Sequence, residues 1–161
     1  MRIPSTRPPG REWLNGPLVW AIDEWHQPMY LFPRDCPRVL CWPTSHTSAR
    51  DRETWFGTAD CRMIAFIESA WAARVYAGAL HRYELPLESF VDLEDAGMWV
   101  SGQGVFPTHS DTLTDLPGEL HARGVSLRVL ERLDVLPRLR ATSLHVSAIR
   151  MRNAESYRAE A

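Results

Sequence analysis

Residues 33–38 read Pro-Arg-Asp-Cys-Pro-Arg and set one thiol, Cys36, between two guanidinium groups, Arg34 and Arg38. Cations within several ångströms stabilise a thiolate and lower its pKa from about 8.5. Asp23 and His26 precede this block on a segment that can fold back, and a Cys/His pair oriented by an acid is the logic of nucleophilic catalysis. Two other readings use the same residues. Planar arginine forks suit phosphate and carboxylate, so Arg34 and Arg38 can bind an anion with His26 and Tyr30 beside them. Alternatively, Asp35 pairs with an arginine to lock an extended turn, and Cys36 is a small buried residue.

Weaker constellations surround this one. Cys36, Cys41, His46 and Cys61 offer four soft ligands at C-x4-C-x4-H-x14-C, a spacing that matches no compact zinc knuckle, so no metal centre is expected. Gly102-Gln103-Gly104 lacks the third glycine and following helix of a dinucleotide loop, and reads as a tight turn. Ser101, His109 and Asp111 are triad residue types, but no nucleophile-elbow pattern surrounds the serine. Arg138, Arg140, Arg150 and Arg152 lack interleaved aromatics and read as surface charge. Trp13, Trp25 and Trp55 fall on expected loops, where they either staple the loop to the core or line a cleft that stacks a base.

Composition bounds what these residues can belong to. At 161 residues, with 45% hydrophobic and 24% charged residues, the chain has the profile of a globular domain. All 18 basic residues are arginine, which excludes Schiff-base and Walker-type lysine chemistry. The net charge of −2 does not call for nucleic acid or a membrane as partner. Three cysteines without an apolar leader suit free thiols in the reducing cytoplasm. Between Arg82 and Arg123 the acids Glu84, Glu88, Asp92, Glu94, Asp95, Asp111, Asp115 and Glu119 face no basic residue in sequence. That acidic middle is either a solvated face balanced by arginines on folding or a surface for a basic protein partner.

The elements that must position these groups follow from periodicity and punctuation. Residues 1–17 read as a Pro/Arg-rich arm, 18–154 as one domain and 155–161 as a tail. Leu18–Ile22 is expected as a buried strand, Pro28–Phe32 as a short helical turn and Val39–Trp42 as a strand closed by Pro43. Thr44–Gly57 reads as loop. From Thr58 a helix is expected, with Met63, Ile67, Ala70, Trp71 and Arg74 on one stripe, followed by a strand over 75–85. Short strands are expected at 98–101 and 105–106, a helix over 115–123 stopped by Gly124, and alternating strands at 125–129 and 143–147, which carry His145 as His81 is carried by the strand over 75–85. Short strands in one or two small sheets with two or three helices, in no regular βαβ order, make the fold class α+β.

Val19-Trp20-Ala21-Ile22-Asp23, His26, Tyr30 and Phe32-Pro33-Arg34-Asp35-Cys36-Pro37-Arg38-Val39 resemble the signature of an uncharacterised family of small bacterial proteins. Tyr83 with Leu85-Pro86, Gly97–Ser101, and Ser143-Leu144 leading into Ile149-Arg150-Met151-Arg152-Asn153-Ala154 are similar too. Relatives of that kind begin with a strand carrying a histidine, where this chain has its Arg/Pro-rich arm. The order of elements is loosely similar to ADP-ribosyltransferase-like domains. That likeness implies a nucleotide-like or other anionic ligand, NAD or a nucleotide phosphate, without fixing a cofactor. Arg34 and Arg38 would hold phosphates, Tyr30 would stack and Glu84 would act on the ribose, while Cys36 as a nucleophile follows from the residues alone and not from this likeness. The competing expectation is a non-catalytic interaction module in which residues 33–38 are a structural turn.

Overall fold

A computed structural model of the chain describes Leu14 and residues 16–155, so most of the expected arm and tail lie outside the described residues. Nine strands and four α-helices are present among them, and the fold class is α+β. In chain order these are β1 (Val19–Ile22), β2 (Arg38–Trp42), α1 (Ala49–Phe56), β3 (Met63–Glu68), α2 (Ser69–Tyr76), β4 (Leu80–Glu84), β5 (Val91–Asp92), β6 (Met98–Ser101), β7 (His109–Leu113), α3 (Leu116–Ala122), β8 (Val125–Leu130), α4 (Val135–Arg140) and β9 (His145–Ile149). Short 3-10 turns occupy Gln27–Tyr30 and Met151–Asn153. No helix among the described residues is long and apolar enough to cross a membrane.

The chain forms two compact units. The larger, residues 28–80 and 112–161, is built on the sheet β8-β3-β2-β9. Strand β3 is antiparallel to β2 and parallel to β8, and β2 is antiparallel to β9. Every residue of β2 and β3 is buried. On one face Val39, Cys41, Ile64 and Phe66 pack with Phe56 of α1, Leu136 and Leu139 of α4, and Leu144. Alternation turns Leu40, Met63, Ala65 and Ile67 to the other face, where α2 packs on β3, α3 packs on β8, and Val75, Leu116 and Leu120 are buried.

This double burial explains the main departure from the sequence reading. A strand covered on both faces is apolar throughout, so Met63–Glu68 carries no two-residue alternation and mimics the start of a helix. The helix begins only at Ser69. Helix α1 replaces the expected loop because Ser48 caps it: its side chain accepts the Asp51 N–H, while the Asp51 carboxylate accepts the Ser143 N–H and O–H at 2.8 and 2.6 Å. The expected strand at 105–106 is absent. The strand forms instead at β7, whose polar sequence hides it.

The smaller unit, residues 1–27 and 81–111, holds the antiparallel sheet β1-β6-β5, with β4 pairing β7 in a two-stranded ribbon. Arg82 and Asp111 clasp that ribbon through two parallel hydrogen bonds of 3.0 and 2.6 Å. Strand β1 is only half-buried, contrary to the expectation of a buried strand, and Trp20 is exposed. Leu14, Leu93 and Val100 form its small core. Gly97 sits at φ +73° with its Cα against the Asp23 and His26 side chains, a place where only a glycine fits.

Two substitutions separate these units by their own stabilities. Phe66→Ala should lower stability by about 3–5 kcal/mol, as a large core truncation does. Gly97→Ala should cost about 1–3 kcal/mol, because the new methyl meets His26 at an unfavourable φ. Urea unfolding followed by fluorescence checks both, and a wild-type midpoint for either variant would contradict the packing described.

Candidate functional site

The residues 33–38 form a turn closed by the Cys36 N–H donating to Pro33 O at 2.9 Å. A second stretch of chain, residues 149–154, locks it from outside. Arg38 pairs in register with Ile149, Arg150 Nε donates to Arg34 O at 3.2 Å, and Asn153 Nδ2 donates to Asp35 O at 2.7 Å. The turn is therefore held through its backbone carbonyls. The expected ion pair of Asp35 does not form among the described residues, and both Asp35 and Arg34 are exposed.

Arg38 is the unusual member. It opens a fully buried strand and is itself 3% exposed. Its Nε donates to Met29 O at 2.7 Å and Nη1 to Cys36 O at 2.9 Å, and its guanidinium lies 5.7 Å from the Tyr30 ring centre and 5.3 Å from that of Phe32. No carboxylate lies within ion-pair distance of it among the described residues. Burial pushes it down to about 10, the neighbouring Cys36 and Tyr30 partly offset that, and the Arg150 charge pushes it further down. It remains a cation at neutral pH.

The same burial acts on Cys36 in the other direction. Its thiol is fully buried, donates to Pro37 O at 3.5 Å, and is pushed up to about 11 by burial, against the pull of Arg38 and with a push from Glu68. A thiol held this way is a packing group and weak donor, not an activated nucleophile. Glu68 itself, which the sequence reading did not single out, is a fully buried carboxylate whose two oxygens accept the Glu155 N–H at 3.1 Å each.

Tyr30, Arg34, Cys36 and Arg38 are thus gathered in the larger unit. His26 and Glu84 belong to the smaller one. His26 Nδ1 stands 2.9 Å from both Asp23 carboxylate oxygens, and its backbone N–H donates to Asp23 Oδ1 at 2.7 Å. Glu84 is exposed on β4 with Arg82 at 3.8 Å. Ser101 is buried, hydrogen-bonded to Ser89 Oγ at 2.9 Å and accepting the Gln103 N–H, so it shapes the turn. Among the described residues no three His, Cys, Asp or Glu side chains come together as a metal site, so the C-x4-C-x4-H-x14-C spacing does not converge. His145 stacks on Trp42 at 4.2 Å, its register partner.

Arg150, surface charge by its sequence, is half-buried and stands at the turn. The only sequence signal was that residues 149–154 belong to the same resemblance as residues 33–38.

The chain belongs to a family of unknown function (DUF6886), whose profile matches residues 3–154 and so spans both of these stretches. No curated protein and no solved structure matches it.

Burial of the thiols has a measurable consequence. Cys36 and Cys41, pushed up to about 11 and about 12, hold their protons in the native state to a higher pH than in the unfolded chain. From about pH 8.5 up to about 11 for Cys36 and about 12 for Cys41 the unfolded state then binds fewer protons than the native one, so this contribution is fully present below about 8.5 and is lost as pH rises through that window. Denaturant midpoints should follow that course, and the fall should shrink in Cys41→Ala. Iodoacetamide at pH 8 should leave both thiols unmodified in the native protein and label them in guanidinium; native labelling of Cys36 at the unfolded rate would refute its burial.

Proposed function

From membership of a family without an assigned activity, we propose that the chain is an anion-binding domain whose site is the turn at residues 33–38, and that its ligand is nucleotide-like or another small anion. One observation carries this: Arg38 is buried and charged with no carboxylate partner. Two carbonyl oxygens and two aromatic rings hold the guanidinium, but none of them carries the opposite charge that buried ions ordinarily find. A bound anion does so. Arg34, exposed and unpaired among the described residues, supplies a second fork at the rim, and the half-exposed Tyr30 ring offers a stacking face beside it.

The resemblance to ADP-ribosyltransferase-like domains extends this reading to NAD, its diphosphate on the arginines and its base on Tyr30. The role of Glu84 on a ribose, and that of His26 at the ligand, rest on that likeness alone. A second reading has its own observation. In the smaller unit the described acids are Asp23, Glu24, Glu84, Glu88, Asp92, Glu94, Asp95 and Asp111 against the single base Arg82, and Trp20, Val91 and Phe106 are exposed there. An acidic surface with exposed apolar groups suits a basic protein partner.

Thermal unfolding with inorganic phosphate, pyrophosphate, ADP-ribose, NAD and acetate tests the first reading. Ligand at 100 times its Kd should stabilise by about 2.7 kcal/mol, a rise of several degrees. Arg34→Ala should leave the unliganded melting temperature unchanged and weaken the shift at a given concentration, while Arg38→Met should abolish it. No shift with any anion, or an undiminished shift in Arg38→Met, overturns the anion site and leaves the interaction surface as the better reading.

A further inference from the structure

The turn carries more positive charge than one singly charged ligand neutralises. Arg38 and Arg150 are close enough for the charge of one to depress the other, and Arg34 is joined to Arg150 through a backbone hydrogen bond. None of the three meets a carboxylate at ion-pair distance among the described residues. Asp35 in the turn offsets one of these charges without pairing to any of them, and the repulsion that remains is relieved in proportion to the charge of the anion that joins the arginines.

Arg150 also stands at an unusual point of the backbone. Arg150 adopts φ +57°, ψ +27°, the left-handed conformation that glycine or asparagine takes with least strain. Glycine at this position would relax the chain, and the sequence keeps an arginine. The conformation comes directly after the residue paired with Arg38, so β9 delivers the Arg150 side chain to the turn instead of continuing along the strand. Its Nε is fixed on Arg34 O, which holds the guanidinium plane and leaves Nη1 and Nη2 to present a second fork.

We infer that Arg150 adds a third cation to Arg38 and Arg34 at this site and makes it selective for a doubly charged phosphoryl group, a phosphate monoester or terminal phosphate, over singly charged anions. The inference rests on the anion site proposed above. It names the ligand class: with Arg150 the site gathers three guanidinium groups and one acid, Asp35, a surplus that the two negative charges of a monoester match and that a carboxylate or a phosphodiester cannot.

The experiment compares two ligands that share base and sugar and differ in phosphate charge. Adenosine 5′-monophosphate and its 3′,5′-cyclic diester are titrated into the full chain by calorimetry at pH 8, with inorganic phosphate as a probe that has no base. The monoester should bind at least tenfold more tightly than the diester. In Arg150→Gln the monoester should lose about tenfold while the diester changes less than threefold, and Arg150→Lys should recover part of the difference. Arg150→Gly, which removes the same charge while relaxing the backbone, should fold and lose selectivity in the same way, separating the charge from any effect on folding. Equal binding of both ligands by the wild type, or equal weakening of both in Arg150→Gln and Arg150→Gly, overturns the inference and leaves the anion site standing. Binding of none of the three probes overturns both.

Discussion

Strand β2 is covered on both faces and paired on both edges, and this one constraint governs the rest of the site. Its register against β3 and β9 places Arg38 as the first residue of a strand with no solvent-facing side. A residue there is inside whatever its chemistry. The register thereby produces a buried cation, satisfied by two carbonyl oxygens and flanked by two aromatic faces, with no opposing charge. The turn that precedes it, and the return of the chain after β9 to hold that turn, are consequences of the same placement.

Burial treats the two polar groups at this place in opposite senses. For Cys36 it favours the neutral thiol and removes reactivity; for Arg38 it disfavours the charged form, yet the starting value is so high that the charge survives. A motif that looks equally suited to nucleophilic and to electrostatic chemistry is sorted by desolvation alone. What remains available at neutral pH is the positive charge of Arg38, and the proposed recognition of an anion rests on that charge and not on Cys36.

Much of this was legible in the sequence, and the limits have physical causes. Pro33 and Pro37 announce an extended turn, Pro43 ends β2, and Asp115 with Gly124 brackets α3, because these residues restrict the backbone locally. The element from Met63 was misread because periodicity reports only half-buried elements, and β3 is buried on both sides. Helix α1 was missed because its signal is a cap, Ser48 and Asp51, with a partner at Ser143 more than ninety residues away. The arginine pair of the turn was visible from residue type. The contact of Arg150 with Arg34 spans 116 residues, and no local rule brings it forward.

Residues 81–111 enter between α2 and α3, inside the connection that joins the parallel strands β3 and β8. The β4–β7 ribbon brings the two ends of that segment side by side and the Arg82–Asp111 fork fastens them. The ribbon thus sets the separation of the segment's two ends, while within the segment β6 pairs with β1. Loop-closure entropy grows only with the logarithm of length, and here it is met locally at the neck. Loop residues added beyond the neck, away from the strands that pair with β1, therefore add little to the closure entropy of the crossover.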